Sequence, residues 1–396
     1  FVCFPMGLSL VATFETGSAD NSAIKPVRTR YGGKSFYAAI IDAPLPAPPA
    51  SDRPDTHCIR MVAAALQDVE APLKHAISLY GAERIGICVG GCDNGSELSL
   101  WGHRRYVEER SFPSAYRLEM QSADYVAAYI ADLYGLKGPA AAIATACSSS
   151  ATALVRAAQL VRSGLCDAMV VGGIDVVSDL ELLGFDAMEC LAPSPCNPFS
   201  KNRAGITLGE AAVFFVLSKD RLFPEEPSVL LAGYGETADA YHITSPDPEA
   251  AGAIQAMRYA LDSANLKAEQ IDYVNLHGTG TERNDAMEAL AVSAVCGGNV
   301  PCSATKSVTG HTLGAAGVLA TAICYETLVR NAGAKNPCLP AQAWDGDYDT
   351  QLPPLRIVDR TNAASIATRV HYSMCNSFGF GGVNVSLILC KDDDDK

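Results

Sequence analysis

Four stretches of this chain carry side chains that could do chemistry together. "AAAIATACSSSATALVRAAQLVRSG" (140–164) places Cys147 where a run of small apolar residues passes into three serines and a helix-like pattern. "NLHGTGTERNDAMEAL" (275–290) puts His277 at the end of an apolar run, ahead of a Gly-Thr-Gly-Thr loop whose backbone can approach a ligand closely. "SATKSVTGHTLGAAG" (303–317) sets Lys306 and His311 on one turn before a helix of small residues. "CNSFGFGGVNVSLIL" (375–389) places Phe378 and Phe380 among glycines, ahead of a final strand, as an aromatic gate would be. A thiol at the start of a helix is expected to have a lowered pKa, because aligned N–H groups favour an anion. The same N–H groups can hold a developing oxyanion. Each stretch also has a structural reading. Buried cysteines are commonly inert, lone histidines commonly structural, small-residue runs pack helices, and the last stretch reads as a hairpin turn.

Reactive groups of this kind lie beyond the carboxyl ends of strands in helix-covered sheets. The sequence reads as two series of elements. The first is strand 7–14, helix 58–80, strand 85–90, helix 121–134, strand 141–145, helix 148–163, strand 168–174 and strand 211–217. The second is strand 228–235, helix 249–264, strand 271–275, helix 285–296, strand 301–304, helix 313–330, strand 368–374 and strand 383–389. Both are βαβαβαββ. "RIGICVGG", "AMVVGGID" and "IDYVNLHG" are near-continuous apolar runs, as strands buried on both faces require. Two such units stack into a layered α/β architecture with helices between two sheets. "APLPAPPASDRPD" joins the first strand to the first helix and can be neither helix nor central strand. The expected halves are 1–227, carrying the nucleophile, and 228–390, carrying His-Lys-His, with 391–396 a tag remnant.

Composition narrows the classes. With 48% apolar and 19% charged residues, the chain reads as a soluble globular protein. Its fourteen cysteines are scattered; only Cys88 and Cys92 lie close together, with no second pair, so no metal site is expected. A reduced, cytoplasmic protein follows. A net charge of −14 without any Lys/Arg-rich run excludes nucleic acid as a partner. No apolar run reaches the ~18 residues that span a bilayer. The opening "FVCFPMGLSLVATF" lacks a basic n-region and an A-x-A site, and is expected to be a buried first strand.

"TACSSS", "HGTGT", "KSVTGHTLGAAG" and "NSFGFGG", in this order and spacing, resemble the motifs of β-ketoacyl-acyl carrier protein synthases. These are condensing enzymes of the thiolase superfamily with a Cys-His-His site, and the resemblance covers residues 1 to 390. It implies a thiolase-like fold of duplicated halves in αβαβα layers. It also implies a homodimer, or a heterodimer with a related synthase subunit. The implied reaction is acyl transfer with decarboxylative Claisen condensation: an acyl thioester joins malonyl held on acyl carrier protein, extending a fatty acid, polyene or polyketide chain. Cys147 would then be the nucleophile, with the N–H groups of Cys147 and Phe380 as its oxyanion hole. His277 and His311 would donate to the malonyl thioester carbonyl, Lys306 would act electrostatically, and Glu288 would pair with that lysine. Thr279 and Thr281 would hydrogen-bond the phosphopantetheine arm, and Phe378 and Phe380 would gate it. No cofactor is implied, since the arm arrives with the carrier. "GETADAYHITSPDP" and "NPFSKNRAGITLGEAA" are similar to synthases that elongate aryl polyenes, while TACSSS and HGTGT are also similar to modular polyketide synthase domains.

Other readings use fewer of the residues. A degradative thiolase needs a second active cysteine where "NSFGFGG" stands, and a starter synthase of the Cys-His-Asn type has no use for His311. A non-catalytic chain-length-factor subunit lacks the nucleophile, and a cysteine hydrolase leaves Lys306 and the second histidine unexplained. An acidic carrier would need a local basic patch on so acidic a chain. Lys201 and Arg203 are expected to provide it beside the tunnel mouth, with Arg104 and Arg105 next.

Overall fold

Two helices rich in alanine meet at the centre of the structure. The computed structural model describes residues 3–4, 23–30, 32–49, 55–93, 95–224, 228–365 and 369–392. The first half contains β1 (Cys3–Phe4), β2 (Ile24–Arg28), β3 (Ser35–Ala39), α1 (His57–Tyr80), β4 (Ile85–Gly90), α2 (Ser96–Glu109) and α3 (Tyr125–Tyr134). It continues with β5 (Ala140–Ile143), α4 (Ser149–Arg162), β6 (Ala168–Asp175), α5 (Asp179–Ala187), β7 (Leu208–Gly209) and β8 (Ala211–Ser218). The second half contains β9 (Val229–Ala238), α6 (Ala251–Ala264), β10 (Tyr273–Asn275), α7 (Glu282–Cys296), β11 (Pro301–Ser303) and α8 (Lys306–Thr309). It closes with α9 (Ala316–Arg330), β12 (Arg356–Ile357), β13 (Tyr372–Phe378) and β14 (Val383–Lys391).

The halves repeat one pairing scheme. β4 pairs in parallel with β5 and β6, and β6 antiparallel with β8. In the same way β10 pairs in parallel with β11 and β13, and β13 antiparallel with β14. The two half-sheets are not separate: β1 pairs antiparallel with both β8 and β9, so hydrogen bonding runs through eleven strands. β2, β3 and β7 form a small second sheet.

Layering follows from which faces are apolar. β4 and β6 are buried at every position, as doubly covered parallel strands must be. α1 and α3 pack on the outer face of the first half-sheet, and α6 packs on β9 and β14 of the second, with α7 against α6. α4 and α9 pack on each other between the half-sheets, α4 reaching β4, β6 and β14, and α9 reaching β6, β8, β13 and β14. The order of layers is therefore αβαβα. α9 with the turn before it, Leu313–Arg330, is long and apolar enough to cross a membrane, yet 83% of it is buried inside the protein.

The central contact leaves no room for side chains. A Cβ on Gly317 would lie 2.6 Å from the Ala151 nitrogen, and one on Gly90 would lie 2.3 Å from the Ser150 nitrogen. α4 is thus pressed between β4 and α9, and this fixes where its first turn sits.

Sequence periodicity locates most of this, and the differences are informative. The expected strand 7–14 lies outside the described residues, as do the tag residues 393–396. The helix expected from 121 starts at Tyr125, after a tight turn over Leu118–Gln121. The strand expected at 368–374 runs instead from Tyr372 to Phe378, so "CNSF" belongs to a central strand rather than a turn. Its polar residues read as loop, but Asn376 accepts from Ser386 Oγ at 2.8 Å and is buried with it. α2, α5 and the small sheet had no counterpart in the sequence reading.

Replacing Gly317 with Val should force α4 and α9 apart. The expected destabilisation is about 1–3 kcal/mol, seen as a lower denaturant midpoint. An unchanged midpoint would show that the central helices have slack.

Candidate active site

β5 ends at Ile143, and the chain enters α4 through a tight bend over Ala146–Ser148. Ala146 has φ 53°, a left-handed conformation that a Cβ disfavours. The serines hold it there. Ser149 Oγ accepts the Thr145 N–H at 2.9 Å and donates to the Ala146 carbonyl at 2.6 Å. Ser148 Oγ donates to the Thr145 carbonyl at 2.8 Å. Ser150 Oγ accepts the Val318 N–H at 2.9 Å, tying the bend to α9. Cys147 sits on this bend, 6% exposed, where its own N–H and that of Phe380 both reach the thiol sulfur.

His277 follows β10, and His311 follows α8. Their rings lie perpendicular with centroids 5.4 Å apart, and the Cys147 sulfur and one nitrogen from each ring lie within 4.8 Å of one another. The partners of the rings decide what this cluster can do. Leu313 N–H donates to His311 Nδ1 at 3.1 Å, so the proton of that ring is on Nε2. Lys306 Nζ lies 3.4 Å from His277 Nδ1 and donates there, which leaves the proton of the second ring on Nε2 as well. Two Nε2–H donors beside an ammonium suit an anion. They do not suit a metal ion, which needs unprotonated nitrogen.

Burial governs the protonation states. Burial, the Lys306 charge and the His311 ring hold His277 well below the ordinary imidazole value. Burial and Lys306 do the same to His311, so both rings are neutral. Burial also pulls Lys306 below an ordinary lysine, an effect that Glu288 opposes. The expected pairing of Glu288 with Lys306 acts through space only. The Glu288 oxygens accept the backbone N–H groups of His277 and Gly278, both at 2.7 Å, so the carboxyl holds the loop that carries His277. Cys147 differs from expectation. Burial pushes its thiol up to about 11, against the Phe380 N–H and Lys306, which pull it down. Desolvation therefore outweighs the favourable position at a helix start.

These groups open onto a cavity of about 740 Å³. Cys147, His277, His311, Thr279, Thr281, Phe378 and Phe380 all line it. The hydroxyls of Thr279 and Thr281 are 3.0 Å apart. Phe378 is the last residue of β13, 5% exposed, with its ring 6.1 Å from that of His277, and forms part of the cavity wall. Only Phe380 lies in the turn after β13, its ring 6.3 Å from Phe185 of α5.

The proposed basic patch does not form. Arg203 lines the cavity, but its side chain is 8% exposed and its guanidinium pairs with Asp349 at 2.6 Å. Lys201 is exposed and pairs with Asp347 at 2.6 Å. Arg104 and Arg105 pair along α2 with Glu108 and Glu109. "SKNR" looked basic because its acidic partners come from residues 345–349, more than a hundred positions away. Asp175 is a further participant the sequence reading missed. Its carboxyl accepts N–H groups from Cys92 and Asp93 and lies against Gly314, in the turn whose Leu313 N–H sets the tautomer of His311. An acid at the end of an apolar strand was the available signal.

Residues 36–221 match the beta-ketoacyl synthase N-terminal domain, and residues 229–336 match its C-terminal domain. The 3-oxoacyl-[acyl-carrier-protein] synthase 2 of Vibrio cholerae is 33% identical over 323 residues, which are 78% of this chain and 76% of that protein. Its namesake from Staphylococcus aureus is 31% identical over 323 residues, with the same shares of 78% and 76%. Among solved structures, the ketosynthase ApeO from Xenorhabdus doucetiae, in complex with its chain length factor ApeC, superposes with a TM-score of 0.87. The two are 33% identical, and the match covers 99% of this chain and 98% of that one. The chain belongs to the β-ketoacyl synthase family, and its fold is thiolase-like.

With the thiol at about 11, thiolate is scarce at neutral pH. Alkylation of Cys147 by iodoacetamide should therefore be slow at pH 7 and rise about tenfold per pH unit until near pH 10, read by peptide mapping. Lys306→Met should slow it further, because the thiolate loses its nearby cation. A rate already at its plateau at pH 7 would contradict this ordering.

Proposed function

We propose that this member of the β-ketoacyl synthase family condenses an acyl thioester, held on Cys147, with malonyl carried on acyl carrier protein. One observation carries the assignment: a thiol, two neutral Nε2–H donors and a pair of backbone N–H groups converge in one cavity around a buried cation.

The steps follow from these groups. Cys147 attacks the acyl thioester while the N–H groups of Cys147 and Phe380 hold the oxyanion, and its proton leaves on the departing arm sulfur. The arm lies along Thr279 and Thr281, whose hydroxyls suit its amides. A malonyl thioester then places its carbonyl oxygen against Nε2–H of His277 and His311. The C–CO2 bond breaks, its electron pair becomes the enolate, and the two donors stabilise the charge by roughly 2.7–4 kcal/mol each. The enolate carbon bonds to the acyl carbon, the Cys147 thiolate departs, and one proton from solvent restores the thiol. Neutral rings matter here, because an imidazolium would bind the malonyl carboxylate and oppose loss of CO2. No further cofactor enters, since phosphopantetheine belongs to the carrier.

A heterodimeric assembly in a polyene-forming pathway is the finer reading. The likeness to ApeO, solved with its chain length factor, favours the heterodimer, and the resemblance carried by "GETADAYHITSPDP" and "NPFSKNRAGITLGEAA" favours the polyene. β5 is the outer strand of the large sheet and is only partly buried, so a second chain, identical or related, has an edge to extend. A reducing, cytoplasmic setting fits the free thiols found at thirteen of the fourteen cysteines.

Mutation should separate the two stages. His277→Ala or His311→Ala should still accept an acyl group on Cys147, seen by intact mass, while malonyl decarboxylation falls about 10²–10³-fold. Cys147→Gln should lose condensation and retain decarboxylation. Histidine variants that condense at the parental rate would remove the enolate site from this cavity.

A further inference from the structure

Asp175 ends β6 fully buried, yet it takes no part in the chemistry derived above. Its carboxyl accepts backbone N–H groups from two directions. From the loop after β4, the Cys92 and Asp93 N–H groups reach Oδ1 at 2.9 and 2.6 Å. From the other half of the fold, the Gly314 N–H reaches the carboxyl, and a Cβ on Gly314 would lie 2.7 Å from Oδ2. Asp93 lies beside it and Glu181 beside Asp93, but these two are bonded to Ser96 and Ser178 of the first half. Asp175 is the acid of this group that ties the halves together.

What it clamps is a strained turn. Leu313 has φ 47°, a left-handed conformation that its Cβ disfavours. Its side chain is buried with Leu182, Ile206 and Leu208, which fixes where the residue sits but not which way its peptide N–H points. That N–H donates to His311 Nδ1 at 3.1 Å. The next N–H along the chain is that of Gly314, which Asp175 accepts. The turn also rests directly on the strand: a Cβ on Gly173 would come 3.1 Å from the Ala315 Cα. A buried N–H must find an acceptor, so a turn that loses this one has reason to rotate.

We propose that Asp175 is a positioning residue for the enolate site: by holding the Gly314 N–H it keeps the Leu313 N–H on His311 Nδ1, and so the ring proton on Nε2. It lies outside the lining of the catalytic cavity and acts through His311. The kinetic consequence rests on the condensing-synthase reading; the ring tautomer does not. Burial pushes the carboxyl up to about 8, and the N–H groups work against that shift. Charged or neutral, both of its oxygens can accept. An amide of the same size cannot. With its oxygen on the Cys92–Asp93 loop, the N–H2 of an asparagine faces the Gly314 N–H, donor against donor.

The test reads the ring directly in Asp175→Asn carrying ¹⁵N-labelled histidine. His311 should acquire the Nδ1–H tautomer, while His277, whose Nδ1 faces Lys306, stays as in the parental enzyme. The kcat for decarboxylation of malonyl-pantetheine should fall about ten- to a hundredfold, as it does when a reacting group is displaced, with KM changed less than about twofold. In a His311→Ala background, Asp175→Asn should cost less than about a further twofold, because the donor it positions is already gone. An unchanged His311 ring would overturn the proposal, as would losses that multiply in the double variant. A lower denaturant midpoint with parental ring and rate would make Asp175 purely structural and overturn it too. Asp175→Ala, which buries no amide N–H2, reads the same ring if the Asn protein does not fold. A chain that folds with neither substitution assigns Asp175 to stability alone, against the proposal. A parental enzyme with the Nε2–H ring that does not decarboxylate malonyl-pantetheine would count against the synthase reading and leave the positioning role standing.

Discussion

A lysine ammonium buried against one imidazole, with its field reaching a second, is the constraint from which the rest of the site follows. Lys306 touches His277 and, together with burial, keeps both histidines neutral. Keeping a cation in so dry a place is costly unless negative or dipolar groups surround it. Glu288 supplies part of the compensation, and its carboxyl is in turn held by the backbone of the His277 loop. Burial pushes the Glu288 carboxyl up to about 7, so what the site carries before substrate arrives is chiefly its set of oriented donors. The charge that develops on an enolate or a tetrahedral oxyanion meets donors already oriented, with no reorganisation needed.

That arrangement spans the two halves of a duplicated fold. The first half contributes a thiol on a strained bend at the entrance to α4; the second contributes the histidines and the lysine. Their relative position depends on α4 and α9, which meet through Ala151 and Gly317 without an intervening side chain. The Ser150 bond to Val318 reinforces this contact. The three serines after Cys147 therefore have distinct tasks: two hold the bend, and one fastens it to the other half.

Strongly periodic segments made the architecture legible. β4 and β6 are continuous apolar runs, and the structure places β4 where they predicted. The Cys, His, Lys and His of the site were legible because each follows such a strand or the turn after it. What escaped depends on contacts distant in sequence. β13 carries Asn376 and Ser377, which read as loop until Ser386 supplies a buried partner. Arg203 read as a surface cation because Asp349 lies far along the chain. The thiol of Cys147 read as acidic from its helix alone, whereas burial by the surrounding layers moves it the other way. α2 is short of apolar periodicity, with Trp101 and Tyr106 left exposed, so no pattern announced it.

The central claim is that His277 and His311 are neutral Nε2–H donors, held so by Lys306 and the Leu313 N–H. The most direct measurement is the ring ¹⁵N shifts of selectively labelled histidine, followed across about pH 5 to 8, the range in which ordinary imidazole titrates. The account predicts two rings, assigned by His277→Ala and His311→Ala, that stay neutral with the proton on Nε2 throughout. An imidazolium forming at either position with a midpoint near the ordinary value would contradict it.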